Sequence, residues 1–320
     1  MADASVGWPA GHEIAISGFD SRIARGMPLP WWMKIAAKLV LAHCLPNYRH
    51  RRRLGLCVHS YAAGIAGHPS AILDDIGRHA RFTGRPPRSL LELGPGDGLA
   101  NALYAAAAGV TTIWMVDAGD FATSDMRSYR RIVQQIARDN PALAKRVDLS
   151  SRAAMLASIG ACYLTAGTES LRHVPDCSVD LIVSYATIEH VRRHELGRLF
   201  QETFRLLVPG GIARHWIDLM DHLGGRLNNL RIPPALWEHR LMAEAGFYTN
   251  RWRCTEIVAL ARMAGFDTAV PALSRWPELP TPRRRMARQF RRFDDDELRI
   301  ASFDLLLRRS LDQPVTAAAP

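Results

Sequence analysis

The sequence predicts an α/β protein built on a doubly wound, parallel sheet, and two stretches carry that prediction. Residues 89–117 read as strand, glycine loop, helix and strand: "SLLEL" and "TTIWMVD" flank the Ala-rich "LANALYAAAAG". Short apolar runs bounded by turn residues are the pattern of buried strands. Residues 178–219 repeat the alternation, with "SVDLIVSYA" as a strand, "HELGRLFQETFRLLV" as an amphipathic helix, Pro209-Gly210-Gly211 as a turn and "IARHWIDL" as the next strand. Repeated strand–helix–strand units wind into a parallel sheet with helices on its faces.

Three regions follow in order: 1–86, helical and basic, a cap; 87–218, the sheet core; and 219–320, a less regular part that completes the sheet and carries an insertion. The opening "MADASVGWPAGHEIAISGFD" lacks a basic segment followed by an apolar run, so no secretory leader is expected. Next comes "LPWWMKIAAKLVLAHCLP" (29–46), interrupted by Lys34 and Lys38 and bounded by Pro30 and Pro46, too short and too charged to span a bilayer. Trp31, Ile35, Leu39 and Ala42 share one face of the predicted helix, and "RHRRR" (49–53) follows it. Two readings stay open: a lid helix over the site with its lysines in water, or an interfacial helix in peripheral contact with an anionic membrane. Beyond the core, "RCTEIVALARMAGF" (253–266) reads as a helix stopped by Gly265, "RWPELPTPRRR" (275–285) as a loop, and "LRIASFDLLLRR" (298–309) as a closing strand.

With 320 residues, 48% of them hydrophobic, the chain can bury a full core. A net charge of +10 points to an anionic partner without choosing among phosphate, nucleic acid and membrane. The five cysteines form no Cys-x-x-Cys pair, which excludes a zinc ribbon or a redox motif and makes the cytoplasm the expected compartment.

Ligands of open α/β sheets bind at the carboxyl ends of strands, where a glycine turn lets the backbone approach them. Gly94-Pro95-Gly96-Asp97-Gly98 is such a turn, and Asp117 ends the next strand, where a carboxylate can accept both ribose hydroxyl protons of an adenosine-type ligand. Glu92 stands just ahead of the loop. Nicotinamide enzymes also combine a glycine loop with a ribose-binding acid, but their spacing is G-x-G-x-x-G, whereas here it is G-x-G-x-G with a proline inside.

"LLELGPGDG" and "MVDAG", then "SVDLIVSYATIEHV" and "FRLLVPGG", resemble in order the motifs of the class I S-adenosylmethionine-dependent methyltransferases, across roughly residues 88–218. The resemblance, to a type 11-like methyltransferase domain, implies a Rossmann-like fold and S-adenosylmethionine as cofactor. It implies that Gly94, Gly96 and Gly98 pack on the methionine moiety, that Asp117 binds the ribose, and that Tyr185, Glu189 and His190 lie near the cofactor after the fourth strand. Where family members often carry an Asp near the adenine amino group, this chain has Thr168 with Glu169 beside it. The flanking "HWIDLMDHLGGRLNNLR" and "GFYTNRWR" are similar to a bacterial subgroup whose acceptors are mostly unassigned.

Methyl transfer to a hydroxyl or amine needs a base for the acceptor's proton. The densest polar cluster runs off the predicted fifth strand: His215, Asp218, Asp221 and His222, then Asn228 and Asn229. A helix starting near Asp218 would put Asp218, Asp221 and His222 on one face. These residues read as an acid–base set (His215, Asp218, His222), as ligands of a divalent metal, or as caps and surface hydrogen bonds. "GFYTNRWR" (246–253) either contacts an anionic acceptor or locks the C-terminal part onto the core. The expected function is methyl transfer to a small-molecule or glycan-type acceptor, at O or N. Alternatives are a non-catalytic binding protein that keeps the cofactor fold, and an RNA methyltransferase using "PRRRMARQFRRF" (282–293) to track phosphates.

Overall fold

In the computed structural model of the chain, residues 12–15, 30–44 and 69–311 are described, with backbone alone for 12–15, 42, 43, 69 and 70. The strands are β1 (His12–Ala15), β2 (Ser89–Leu93), β3 (Thr112–Val116), β4 (Ala161–Leu164), β5 (Val179–Tyr185), β6 (Leu207–Asp218), β7 (Asp267–Arg275) and β8 (Ile300–Arg308). The helices are α1 (Trp31–Cys44), α2 (Pro69–Thr83), α3 (Ala100–Ala107), α4 (Met126–Ile136), α5 (Pro141–Arg146) and α6 (Arg152–Ser158), followed by α7 (Leu196–Leu206), α8 (Pro234–Trp237), α9 (Arg240–Ala243), α10 (Cys254–Met263) and α11 (Asp295–Leu298).

The strands form one sheet in the order β4-β3-β2-β5-β6-β8-β7-β1. All neighbours are parallel except β8, which is antiparallel to both β6 and β7. The chain winds outward from β2 through β3 to β4, then restarts beside β2 with β5 and runs the other way. That reversal opens a crevice at the carboxyl ends of β2 and β5.

Strand periodicity explains the two layers. In β2, Leu90 belongs to one core cluster and Leu91 and Leu93 to the other, because successive side chains leave a strand on opposite faces. The first face is covered by α2, α3 and α4, the second by α7 and α10. Helix α7 buries Leu196, Leu199, Phe200, Thr203, Phe204 and Leu206, the spacing of a single helical stripe. Asp180 ties β5 to the start of β2 by accepting from the backbone N–H groups of Arg88 (2.8 Å) and Ser89 (3.0 Å).

Several local expectations differ from the structure. Pro209-Gly210-Gly211 lies inside β6 rather than before it: pairing with β5 jumps from Val179–Leu207 to Leu181–Ile212, so the segment is an extended bulge with Gly210 at φ 80°. The N-terminal region, expected to be helical, also places β1 at the sheet edge beside β7. No helix begins at Asp218: residues 219–227 form turns.

Candidate active site

The glycine loop closes on β3. Gly94 N–H donates to the carbonyl of Val116 (2.8 Å), and Gly96 N–H donates to Asp117 Oδ2 (2.8 Å). Gly94 sits at φ 71°, and a Cβ there would fall well inside contact with the Thr187 side chain. Glycine is therefore demanded twice, by backbone conformation and by the close approach of Thr187. Gly98 leads into Leu99, the N-cap residue of α3.

Asp117 is buried and also accepts from Ala118 N–H (2.7 Å). Burial pushes its pKa up to about 6, against the opposing effect of these two hydrogen bonds. Each carboxylate oxygen keeps acceptor capacity for one more donor, as two ribose hydroxyls require. Glu92 is buried behind the loop, where Asn101 Nδ2 donates to its Oε1 (2.8 Å) and its Oε2 has no partner. Burial raises Glu92 to about 8, so at neutral pH it holds its proton until a cation comes beside it. An acceptor-rich acid at a strand end, a glycine cradle and an unpartnered buried carboxyl oxygen fit a ligand carrying a ribose and an amino group.

The residues expected around the adenine divide. Gly167 N–H donates to the Asp117 carbonyl (2.8 Å), which holds the neighbouring Thr168 close to Asp117. Glu169 instead pairs with Arg198 of α7 (3.2 Å) and with Arg172 (3.7 Å), on the half-exposed outside of that turn. Tyr185 is a brace: its hydroxyl donates to Asp75 of α2 (2.7 Å), which also pairs with Arg214 (3.2 Å).

At the carboxyl end of β6, Asp218 Oδ1 accepts from Met220 N–H (2.8 Å), and Oδ2 stands 4.0 Å from His222 Nε2. Asp221 organises the turn by accepting from the N–H groups of Leu223 (3.0 Å) and Asn228 (2.5 Å). Glu189 is buried with no hydrogen-bond partner on either carboxyl oxygen. Burial raises Glu189 first, and the charge of Asp218 adds to it; burial likewise raises Asp218 above the carboxylate range. His190 Nδ1 donates to the Tyr248 carbonyl (2.9 Å), and its ring meets that of His222 edge-on at 4.8 Å. Thr187, pressed on Gly94, is three residues before His190, so the two ends of the site lie within about 11 Å of chain.

His215 stands apart from this cluster. It is fully buried on the second face of the sheet, sharing a hydrogen bond with Ser184 Oγ (2.8 Å) and packed edge-on against Phe200. Burial there holds its pKa down to about 3, so the ring is neutral and serves as a core hydrogen-bonding residue. Strand parity separates it from Asp218, three positions on and facing the other way. Among the described residues, no group of three or more His, Cys, Asp or Glu side chains could hold a metal ion.

The "GFYTNRWR" segment is a lock. Asn250 Nδ2 donates to the carbonyls of Ile188 (2.8 Å) and Val191 (3.1 Å), Arg251 to those of Asn229 and Ile232, and Arg253 to those of Glu297 (3.0 Å) and Ile300 (2.8 Å). In the 282–293 stretch, Arg283 pairs with Asp295 and Arg292 with Glu256, while Met286 and Phe290 are buried. "RHRRR" (49–53) lies outside the described residues. No helix among the described residues is long and apolar enough to cross a membrane.

Residues that sequence reasoning passed over complete the site. Ala186, at the end of β5, has φ 49°, a conformation that residues other than glycine adopt under local constraint. Thr187, Asn101 and Asp75 act through contacts that no spacing announces.

Residues 91–214 match the family described as "Methyltransferase domain". This stretch is a class I methyltransferase domain. The cofactor of such domains is S-adenosylmethionine, and the methyltransferase domain spans β2 through most of β6. Among solved structures, the chain is similar to an S-adenosylmethionine-dependent methyltransferase from Mesorhizobium loti, at 16% identity over 77% of this chain and 100% of that one, with a TM-score of 0.41. It is also similar to an arsenic(III) S-adenosylmethionine methyltransferase from Chlamydomonas reinhardtii, at 18% identity over 89% and 74% of the two chains, TM-score 0.38. An O-methyltransferase family protein from Burkholderia thailandensis has 14% identity over 86% and 72%, TM-score 0.39. The acceptors those names mention belong to those proteins. No curated protein matches the chain.

Proposed function

We propose that the methyltransferase domain acts on a small-molecule or glycan-type acceptor, at oxygen or nitrogen, with His222 and Asp218 handling the acceptor's proton. In this reading Gly94, Gly96 and Asp117 hold S-adenosylmethionine, Thr168 lies toward its base, and Glu92 faces its amino group. When bound, the cofactor supplies an electrophilic methyl on a sulfonium. The chain's own residues align the acceptor and take up its proton.

The observation that carries the proposal is the turn after β5. Thr187 leans on the glycine loop, and on the same turn Glu189 faces Asp218 while His190 faces His222. A buried carboxyl pair that repels a second negative charge, beside an imidazole, is a means of accepting and passing on a proton near neutral pH. Helix α1 supports a compact acceptor, since Lys38 Nζ donates to the His222 carbonyl (2.9 Å) and so roofs that end of the site.

The test is S-adenosylhomocysteine formation with a panel of hydroxyl and amine acceptors. Asp218→Asn and His222→Ala are expected to cut kcat by about 10²-fold with calorimetric affinity for the cofactor unchanged. Unchanged turnover in both variants would overturn their assignment. Cofactor binding without turnover of any acceptor would instead favour a binding protein that keeps the fold.

A further inference from the structure

Helix α1 packs its marked stripe inward, but its lysines do not face water as the lid reading expects. Trp31, Ile35 and Leu39 pack inward on the cluster formed by Leu223, Trp237, Met242 and Phe247. Its two lysines also turn toward the body of the protein: Lys38 bonds the His222 carbonyl, and Lys34 Nζ lies 3.9 Å from where a Cβ on Gly224 would sit. The outward face is left apolar, with Trp32 58%, Met33 37% and Val40 62% exposed and Ala36 and Ala37 exposed between them. A water-facing helix side ordinarily carries the charges. On the adjoining α8 and α9, which share the inner cluster, Leu236 and Leu241 are 56% and 52% exposed.

A basic groove of about 750 Å³, lined in part by Pro233 and Pro234 at the start of α8, lies near the first turn of α1. Arg231, Arg285, Arg288, Arg291 and Arg292 line it, and the Arg231 guanidinium sits 4.7 Å over the ring of Trp31 at the start of α1. An exposed apolar helix face carrying a tryptophan beside a cluster of arginines has the composition of a surface that enters the headgroup layer of a membrane. A second copy is a poorer occupant, because a two-fold contact presents the same patch to itself and sets these arginines against their counterparts.

We infer that the outer face of α1, with Leu236 and Leu241, docks on an anionic membrane whose phosphate headgroups the arginine groove binds. Docking sets the His222 end of the site at the bilayer surface, a consequence that rests on the function proposed above; the docking itself does not depend on it.

The full chain is sedimented with vesicles of phosphatidylcholine mixed with phosphatidylglycerol, and with vesicles of phosphatidylcholine alone, at low and high salt. Salt-sensitive binding to the mixed vesicles is expected, reduced at least about tenfold by Val40→Glu and, independently, by Arg285→Glu with Arg288→Glu. Both variants are checked for an unchanged thermal transition by circular dichroism; if Val40→Glu fails to fold, Trp32→Ala and the arginine variant carry the test. No binding to mixed vesicles, or binding that neither substitution weakens, overturns the inference. Light scattering that shows a dimer dissociated by Val40→Glu, without vesicle binding, overturns it in favour of self-association.

Discussion

The two ends of the site are built differently. The proposed cofactor end consists of one turn and the acid after the next strand, Gly96 and Asp117 joined by a single 2.8 Å hydrogen bond across a strand–helix–strand unit. The proposed acceptor end differs in having no regular element of its own. It hangs on turns held by Asp221 and is fastened from a distance by Asn250, Arg251 and Arg253, whose side chains spend their donors on backbone carbonyls. A local device can be read from spacing and tolerates change elsewhere. A fastened loop depends on buried donors far away in the sequence, so substitutions there act through stability.

That contrast can be broken most severely at Asp117. Asp117→Ala removes the proposed ribose acceptor and the partner of Gly96 N–H, and two charge-assisted hydrogen bonds at about 1.5–3 kcal/mol each predict a loss of S-adenosylmethionine affinity of 10²-fold or more. Isothermal titration calorimetry checks this; retained affinity would move the cofactor elsewhere. At the acceptor end the expected damage is to the fold: Arg253→Met leaves carbonyls of Glu297 and Ile300 buried without their donor. A cost of about 3 kcal/mol follows, read as a lower denaturant midpoint at unchanged m-value.

Proton linkage gives a smaller effect with a definite sign. Folding raises Asp117 to about 6, so the folded chain binds that proton more tightly than the unfolded one; the contribution favours the fold at low pH and is lost as pH rises through about 6. Cofactor binding runs the opposite way because it needs the ionised acceptor. The contribution of Asp117 to affinity is expected to fall about tenfold per unit below pH 6 and to level off above it, with any further rise toward pH 8 belonging to Glu92. A profile flat from pH 7.5 to 5 would remove the ionised carboxylate from recognition. Least is expected of Glu169→Gln: its pairs with Arg198 and Arg172 are exposed, so neither affinity nor stability should move by more than about 0.5 kcal/mol. A tenfold loss of cofactor affinity would return Glu169 to the adenine.

Much of this was legible in advance, for reasons visible in particular residues. The apolar runs of β2, β3, β5 and β8 and the stripe of α7 are local patterns, and the G-x-G-x-G turn with Asp117 is a local motif. The helix that would have put Asp218, Asp221 and His222 on one face is absent because Asp218 and Asp221 accept from nearby N–H groups, and side chains that bond neighbouring backbone in this way favour turns over helix. The choice between lock and acceptor contact for "GFYTNRWR" depended on which carbonyls would be left for Asn250, Arg251 and Arg253, a matter of long-range packing.

By itself the sequence determined the winding of the sheet, the glycine turn and its acid, because strand period, turn chemistry and backbone conformation are set within a few residues. Tertiary structure decided which side of a strand counts. In β6 the bulge over Leu207–Ile212 resets the register against β5, and a one-residue offset exchanges the two faces. Parity puts His215 and Asp218 on opposite faces, and the packed register decided which face is the core, sending His215 in beside Phe200 and leaving Asp218 near His222. For α1 the sequence marked the stripe that packs inward, and only the contacts of the folded chain turned the lysines inward with it and left Trp32, Met33 and Val40 outside.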